Sequence, residues 1–386
     1  MKTVLAVAFG VLFALQAPQE EPGFLPLFNG RNLDGWVNVN CAPDTWTVRD
    51  GMIHSSGKPI CELRTARMFE NFILELEYQH LDPQGNAGVF IWGDALTATG
   101  QPFVRAIEVQ VLDGRNTDNY TSHGDVFAIH GARMTPDRPH PGGWMRSLPS
   151  ERRARPAGEW NHYRITARNG TLKLAVNGKE VSGGYDITPR KGYIHLESEG
   201  GRVLYRNLRI KELPSEATLA PDQIAQADEG FVSIYSGVDF AGWQFPKGHD
   251  GHWVAKDWVI AYDGRSAAED KDLWTDKAYG DFTLILDWRW MDDAVPAVAP
   301  LPLRLAGVEL SDEARHAIGS GLVSSTGKGQ WHRAIVTKRS GRLTIAVDGK
   351  DVLKAAAIPG LDRSGRIALR HDGRSAEFAS LFIKSL

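Results

Sequence analysis

The stretch IEVQVLDG (107–114) places a carboxylate and an amide two residues apart in an alternating pattern. Successive side chains of a β-strand point to opposite faces, so Glu108 and Gln110 share the face opposite the apolar residues. Their Cα atoms are expected to lie about 6.6–6.8 Å apart along the strand. Such a pair can hydrogen-bond the hydroxyl groups of a ligand, and a carboxylate that is partly buried can also transfer protons.

A second strand of the same kind is YIHLESEG (193–200). Its polar face carries His195, Glu197 and Glu199. If both strands belong to one sheet, these groups converge in one groove that suits a sugar ring, and crowding and burial separate the pKa values of the carboxyl groups. We predict that Glu108 is the acid/base residue and that Glu197 or Glu199 is its partner.

Further candidates lie in GNAGVFIWG (85–93) and HGDVFAIHG (123–131). Asn86, Gln110, His130 and His195 are predicted to hold hydroxyl groups. Trp92, expected on the same face as Phe90, is predicted to cover the apolar side of a sugar ring, as Tyr120 or Trp144 could. The alternative is an ordinary solvated sheet face with hydrogen-bonding histidines. No His/Asp spacing here is diagnostic of a zinc or calcium site.

The chain repeats itself in four ordered blocks, such as GEWNHYRITARNGTLKLAVNGKEV (158–181) and GQWHRAIVTKRSGRLTIAVDGKDV (329–352). The pattern predicts a signal peptide at 1–17, domains at 22–213 and 231–386 and a linker at 214–230. The second copy is shorter between its central blocks.

The second copy serves as an internal control, because polar groups that only the first copy carries are the candidates for function. Arg370 and Ala368 occupy the positions of Glu197 and His195. Residues that both copies share are predicted to be core or turn residues. The tryptophan pairs of this kind are Trp36 with Trp243 and Trp160 with Trp331.

Each copy consists of short alternating segments and lacks a long amphipathic helix. Asn-Gly (177–178) and Asp-Gly (348–349) each join two such segments, and these dipeptides favour tight β-hairpins. The pattern predicts an all-β protein of two antiparallel β-sandwiches, with a pair of barrels as the alternative.

The composition and the N-terminal segment indicate where the protein is located and which partners it does not bind. A formal net charge of −3 over 386 residues gives no electrostatic case for nucleic-acid binding. The N-terminal Lys2 and the short apolar run after it predict secretion or export to the periplasm, with no membrane span. An oxidising compartment favours a disulfide between Cys41 and Cys61 over two buried thiols.

Several ordered blocks resemble one known family. They resemble the signature blocks of the 3-keto-disaccharide hydrolase domain, also described as 3-keto-glucoside 1,2-lyase/3-keto-2-hydroxy-glucal hydratase. In chain order these blocks are LFNGRNLDGW, NAGVF, IEVQVLD, PAGEWNHYRI, LAVNGKEV and LESEGG with VLYRNLRI. The resemblance covers 24–213 well and 231–386 more weakly. It implies a concanavalin A-like jelly roll, export, and a sugar substrate already oxidised at C3.

The resemblance also implies site residues. Glu108, Gln110 and Asp113 match an E-x-Q-x-x-D block, and Arg206 matches the arginine of an F-R-N block. Glu197 stands where the family commonly has glutamine, and Trp92 stands where it commonly has arginine. The implied chemistry is elimination followed by hydration, for which a divalent metal ion is one candidate cofactor, with Asp113 and His130 as its candidate ligands.

These observations predict an exported enzyme whose first domain cleaves 3-keto-glycosides and whose degenerate second domain packs on the first. Two alternatives stay open. One is a non-catalytic carbohydrate-binding protein, and the other is an ordinary glycoside hydrolase that acts on the unoxidised sugar.

Overall fold

The computed structural model describes residues 21–113, 124–216, 218–245, 247–249, 251–267, 269, 272–292, 302–308, 310–311, 314, 316, 318–320, 327–370 and 373–386. The expected signal peptide and Tyr120 lie outside these ranges. Regular structure within them is almost entirely β-strand, as predicted, with a 3-10 turn at Pro221–Gln223 and a helical segment that includes 318–320. No helix among these residues is long and apolar enough to cross a membrane.

The first domain consists of two antiparallel sheets. In pairing order, its larger sheet contains β10 (Arg133–Pro136), β14 (Lys179–Thr188), β13 (Thr171–Val176), β12 (Asn161–Arg168), β6 (Phe72–His80), β16 (Val203–Glu212), β4 (Met52–Ser55) and β3 (Trp46–Arg49), with β1 (Leu25–Pro26) beside β16. Its smaller sheet contains β11 (Arg146–Ser147), β9 (Val126–Ile129), β8 (Ala106–Leu112), β7 (Asn86–Gly93), β15 (Tyr193–Ser198), β5 (Cys61–Thr65) and β2 (Trp36–Val39).

The second domain repeats this plan in the part of the chain that is described. Its larger sheet contains β19 (Trp253–Lys256), β20 (Val259–Tyr262), β28 (Ala376–Ser385), β22 (Phe282–Trp290), β24 (His332–Arg339), β25 (Arg342–Val347) and β26 (Lys350–Ala357), with β17 (Val232–Ser233) beside β28. Its smaller sheet contains β18 (Trp243–Gln244), β21 (Leu273–Tyr279), β27 (Gly365–Leu369) and β23 (Leu303–Leu305).

Each domain buries its apolar side chains between its two sheets. In β8, Ile107, Val109 and Val111 point into this core, and Leu74 and Ile165 of the larger sheet meet them there. Burying a side chain of this size contributes roughly 1.5–3 kcal/mol, so the alternating pattern decides which face of each strand turns inward. The chain therefore forms two tandem jelly-roll β-sandwiches, as predicted, with separate sheets instead of closed barrels.

The two predicted hairpin turns have the expected backbone conformation. The φ angles are 48° at Asn177 and 87° at Gly178, and 48° at Asp348 and 77° at Gly349. Positive φ at both central residues is the requirement of a type I′ turn. These dipeptides connect β13 to β14 and β25 to β26.

The tryptophans shared by the two copies differ in their surroundings. Trp36 and Trp243 are buried in the two cores, as predicted. Trp160 and Trp331 were predicted to be core or turn residues. They are only partly buried, so they are not core residues, and each follows a turn closely. Each packs instead under an arginine guanidinium on the outside of its larger sheet, at 3.8 Å from Arg206 for Trp160.

Cys41 and Cys61 form a disulfide, with Cα atoms 5.4 Å apart. Cys61 is the first residue of β5, and the indole Nε1 of Trp46 donates a hydrogen bond to Cys41 Sγ at 3.1 Å. The bridge therefore ties the start of β5 to the segment that follows β2.

Removing this bridge in a Cys41→Ala/Cys61→Ala variant should lower the free energy of unfolding of the first domain by about 3 kcal/mol, because the unfolded chain gains conformational freedom. Guanidinium denaturation followed by tryptophan fluorescence measures the change. A variant as stable as the oxidised wild type would contradict the prediction.

Candidate active site

Four adjacent strands of the smaller sheet bring the predicted polar residues together. Glu108 of β8 pairs in register with Phe90 of β7, and Phe90 pairs with His195 of β15. Two residues after His195 on β15, Glu197 pairs with Glu62 of the next strand, β5. The alternating apolar residues of these strands face the core, so the carboxylates lie on the opposite face, as the alternation predicted.

A glycine makes room for two of the carboxylates. A Cβ atom on Gly88 would lie 2.8 Å from Oε2 of Glu197 and 3.1 Å from Oε1 of Glu108. The two oxygens are therefore at most about 6 Å apart, the sum of those distances. Any larger residue at position 88 would fill the space between the two carboxyl groups.

Glu108 and Glu197 favour the protonated form. Burial raises the pKa of Glu108 well above its ordinary value, and the negative charge of Glu199 adds to this effect. Burial also raises the pKa of Glu197, with a further contribution from Glu108. Oε2 of Glu197 is buried without a hydrogen-bond partner among the described residues. A neutral carboxyl group of this kind can donate a proton.

Glu199 lies at the more accessible end of this cluster, just beyond β15. Burial raises the pKa of its carboxyl group to about 7. Nδ2 of Asn86 donates a hydrogen bond to Glu199, and Nε2 of Gln110 donates to Oδ1 of Asn86 at 2.6 Å. Asn86 and Gln110 therefore fix the position of a group that exists in both protonation states near neutral pH.

The arginine nearest to Glu108 comes from β11. Nε of Arg146 donates to Oδ2 of Asp125 at 2.6 Å, and the guanidinium carbon lies 3.8 Å from the centre of the Phe127 ring. Arg146 lowers the pKa of Glu108, but less than burial and Glu199 raise it. We did not predict a role for Arg146, because no spacing in the sequence links it to β8.

Glu62 is a second residue of the site that the sequence analysis missed. Its Oε2 lies 2.5 Å from Nδ1 of His195, without the alignment of a hydrogen bond, and its Oε1 accepts a hydrogen bond from the Val104 amide at 2.8 Å. The alternation of Glu62 and Arg64 around Leu63 was the available signal. His195 is fully buried, so the prediction that it holds substrate hydroxyls directly is wrong for this conformation.

The two candidate metal ligands lie far apart. Asp113 follows the end of β8, where Oδ2 accepts a hydrogen bond from the Gln84 amide at 3.2 Å. His130 follows β9, whose Ile129 pairs with Ala106 at the other end of β8. The strand between them spans about 20–25 Å at the usual rise per residue, so they cannot bind one ion.

No three histidine, cysteine, aspartate or glutamate side chains in the described residues are arranged to hold a metal ion. His130 instead lies near Phe103, with ring centres 6.5 Å apart, and burial lowers its pKa.

Two other predicted substrate-binding residues lie outside the cluster. Trp92 has a positive φ of 57° next to a register shift between β7 and β15, which turns its side chain into the core, where Nε1 donates to the Glu70 carbonyl at 2.7 Å. It does not share the face of Phe90. Arg206 lies on the outer face of the larger sheet, paired with Glu77 at 2.6 Å. The sandwich core separates it from the carboxylates.

Comparison with known proteins identifies the family of the chain. The family model of the 3-keto-alpha-glucoside-1,2-lyase-like domain matches residues 23–211 and again 230–384. The chain belongs to this family. The two matches correspond to the two sandwiches, so both are lyase-like domains by descent.

Three known proteins are similar to this chain over about half of its length. A 3-keto-disaccharide hydrolase of Bacteroides thetaiotaomicron is 24% identical over 255 residues, which is 52% of this chain and 82% of that protein. Two structures of putative glycosyl hydrolases from Parabacteroides distasonis are 20% and 24% identical. They cover 50% and 49% of this chain and 94% and 99% of their own chains, with TM-scores of 0.40 and 0.37.

The raised pKa of Glu199 predicts a pH-dependent stability of the first lyase-like domain. The pKa is about 7 in the folded state and near 4.5 in the unfolded chain. Between these values the folded state binds more protons, so the free energy of unfolding falls as pH rises from 4.5 through 7. The contribution is at most about 3 kcal/mol.

The Glu199→Gln variant lacks the titrating carboxyl group, so it should lose this part of the fall in the free energy of unfolding with pH. The Glu180→Gln variant changes an exposed hairpin residue and should keep the fall. Urea denaturation at a series of pH values measures the difference. Parallel pH profiles for wild type and Glu199→Gln would contradict the assignment.

Proposed function

We propose that the first domain cleaves 3-keto-glycosides by elimination and hydration, which together give net hydrolysis. The family membership supports a carbohydrate-acting enzyme. The observation that carries the finer proposal is the meeting of Glu108, Glu197 and Glu199 on one sheet face. Burial raises the pKa of Glu108 and of Glu197 well above the ordinary value, and it raises the pKa of Glu199 to about 7. One site therefore offers both a proton donor and a proton acceptor at neutral pH.

The elimination needs both groups. The ketone at C3 acidifies the proton on C2, and the carboxylate of Glu199 accepts that proton. The electron pair left on C2 forms a double bond to C1 as the bond from C1 to the glycosidic oxygen breaks. Glu108 donates its proton to the departing oxygen, and Glu197 beside it stays neutral, which limits the negative charge in the site.

Hydration restores the starting state of the enzyme. Water adds to C1 and gives one proton to the Glu108 carboxylate. Glu199, which is only partly buried, exchanges its carboxyl proton with water between the two steps and then gives a proton to C2. The products are a free 3-keto sugar and the released alcohol or sugar. No nucleophile on the protein is required, in contrast to a retaining glycosidase.

The second domain is proposed to be non-catalytic. Arg370 occupies the position of Glu197, and Ala368 occupies that of His195. The strand pairing is equivalent, because Ala368 of β27 lies opposite Trp274 of β21 as His195 lies opposite Arg64. The pairing of these two strands is therefore retained, whereas the glutamate and the histidine on the second of them are replaced.

Export remains part of the proposal. The apolar N-terminal segment with Lys2 predicts a signal peptide, and the disulfide between Cys41 and Cys61 fits an oxidising compartment such as the periplasm or the exterior.

The Glu108→Gln variant should fold normally, because glutamine resembles the neutral carboxyl group in size and hydrogen bonding. It should lower kcat on a 3-keto-glucoside by about 10²-fold or more, since an acid of this type commonly contributes 10²–10⁴-fold. Glu180→Gln is the matched control and should retain full activity.

Substrate choice separates the proposal from its rivals. Wild-type protein that cleaves the parent glucoside equally well would favour an ordinary glycoside hydrolase. Protein that binds glycans without turning over the 3-keto-glucoside would favour a carbohydrate-binding module.

A further inference from the structure

We propose that the second domain is a positioning device for the active site of the first. It docks on the loop of residues 94–105, here called the cover loop, and holds that loop over the buried Glu62–His195 end of the site. The inference deepens the proposed function and rests on it for its catalytic consequence. The docking of the second domain on the cover loop does not depend on which reaction the first domain catalyses.

The cover loop joins β7 to β8 and closes one end of the polar face. Phe103 packs on Phe90 with ring centres 5.6 Å apart, and both belong to a small apolar cluster that includes Val104. The Val104 amide donates the hydrogen bond to Glu62 that was described above. The loop therefore fixes Glu62 and keeps His195 away from solvent.

The second domain supplies polar partners to the backbone of this loop. The amide of Gly100 donates to Oδ2 of Asp287 at 2.8 Å, and Nη2 of Arg333 donates to the carbonyl of Thr97 at 2.8 Å. Arg333 also holds Asp287 through two hydrogen bonds of 2.7 and 2.8 Å. A bidentate pair of this kind sets the orientation of both side chains.

Gly100 of the cover loop also lies directly against Trp331 of the second domain. A Cβ atom on Gly100 would lie only 2.1 Å from Cγ of Trp331, and the φ angle of Gly100 is 64°. Glycine is therefore required at this position for both reasons. Oγ1 of Thr97 also lies 2.9 Å from Oγ of Ser380.

The duplicated sequence gives this contact an internal comparison. Asp287 and Trp331 occupy the positions of Glu77 and Trp160 in the first domain. Glu77 has a side chain that is 25% exposed, whereas that of Asp287 is 0% exposed. The same outer face of the larger sheet is open in the first domain and is covered by the cover loop in the second. A surface that is solvated in one copy has become a docking surface in the other.

The test uses the full chain and the variant Gly100→Ala, which pushes the loop against Trp331 without changing the second domain. Hydrogen exchange of the peptide that contains 97–104 should become at least tenfold faster. His195, protected in the wild type, should become reactive toward diethyl pyrocarbonate. Turnover of a 3-keto-glucoside should fall by roughly 10- to 100-fold, mainly in kcat, the size expected for misplaced site residues.

Two further variants guard against a general folding defect. Arg333→Lys keeps a positive charge beside Asp287 but loses the forked geometry, and it should show the same changes to a smaller extent. Ser233→Ala removes a contact to Asn40 at 3.1 Å, which also joins the two domains but does not touch the cover loop, and it should leave all three readouts unchanged.

Unchanged exchange in Gly100→Ala would overturn the docking. Faster exchange with His195 still protected, or with turnover unaffected, would show that the contact does not serve the site and would also overturn the inference. If the wild type fails to turn over the 3-keto-glucoside, the proposed function fails, while exchange and His195 labelling still decide whether the second domain closes the site.

Discussion

The crowding of carboxyl groups on one buried sheet face is the constraint on which the site depends. Glu62, Glu108 and Glu197 are all nearly inaccessible to solvent. Ionising every member would be costly in so confined a space, and burial accordingly raises the pKa of Glu108 and Glu197 well above the ordinary value. In the proposed mechanism, this raised pKa lets Glu108 donate a proton to the leaving group. The sandwich core behind the sheet holds the strands in register.

The duplication separates what the fold requires from what the chemistry requires. Both copies keep the buried tryptophans, the tight hairpins and the pairing of equivalent strands. The second copy lacks the glutamate and the histidine of the site strand but keeps its larger sheet, whose outer face carries Asp287 and Arg333. Under our proposal, the second copy contributes to turnover through this outer face instead of through a catalytic site of its own.

Alternation and turn chemistry predicted the two sandwiches and the convergence of Glu108 with Glu197, because both depend on local periodicity and on which face is apolar. Trp92 was misplaced because a positive φ and a register shift interrupt that periodicity. Arg206 was misplaced because its motif does not reveal which sheet its strand joins. The burial of His195 and the role of Glu62 depend on the fold of the cover loop, which local patterns do not specify.

The central claim is that proton abstraction at C2 initiates bond cleavage in the first domain. Turnover of a 3-keto-glucoside in deuterium oxide, with the product followed by NMR, tests it most directly. The account predicts deuterium at C2 of the released 3-keto sugar, at a rate that matches turnover and exceeds the exchange of sugar without enzyme. A product that keeps its original hydrogen at C2 would mean that the glycosidic bond breaks by direct displacement, and the account would be wrong.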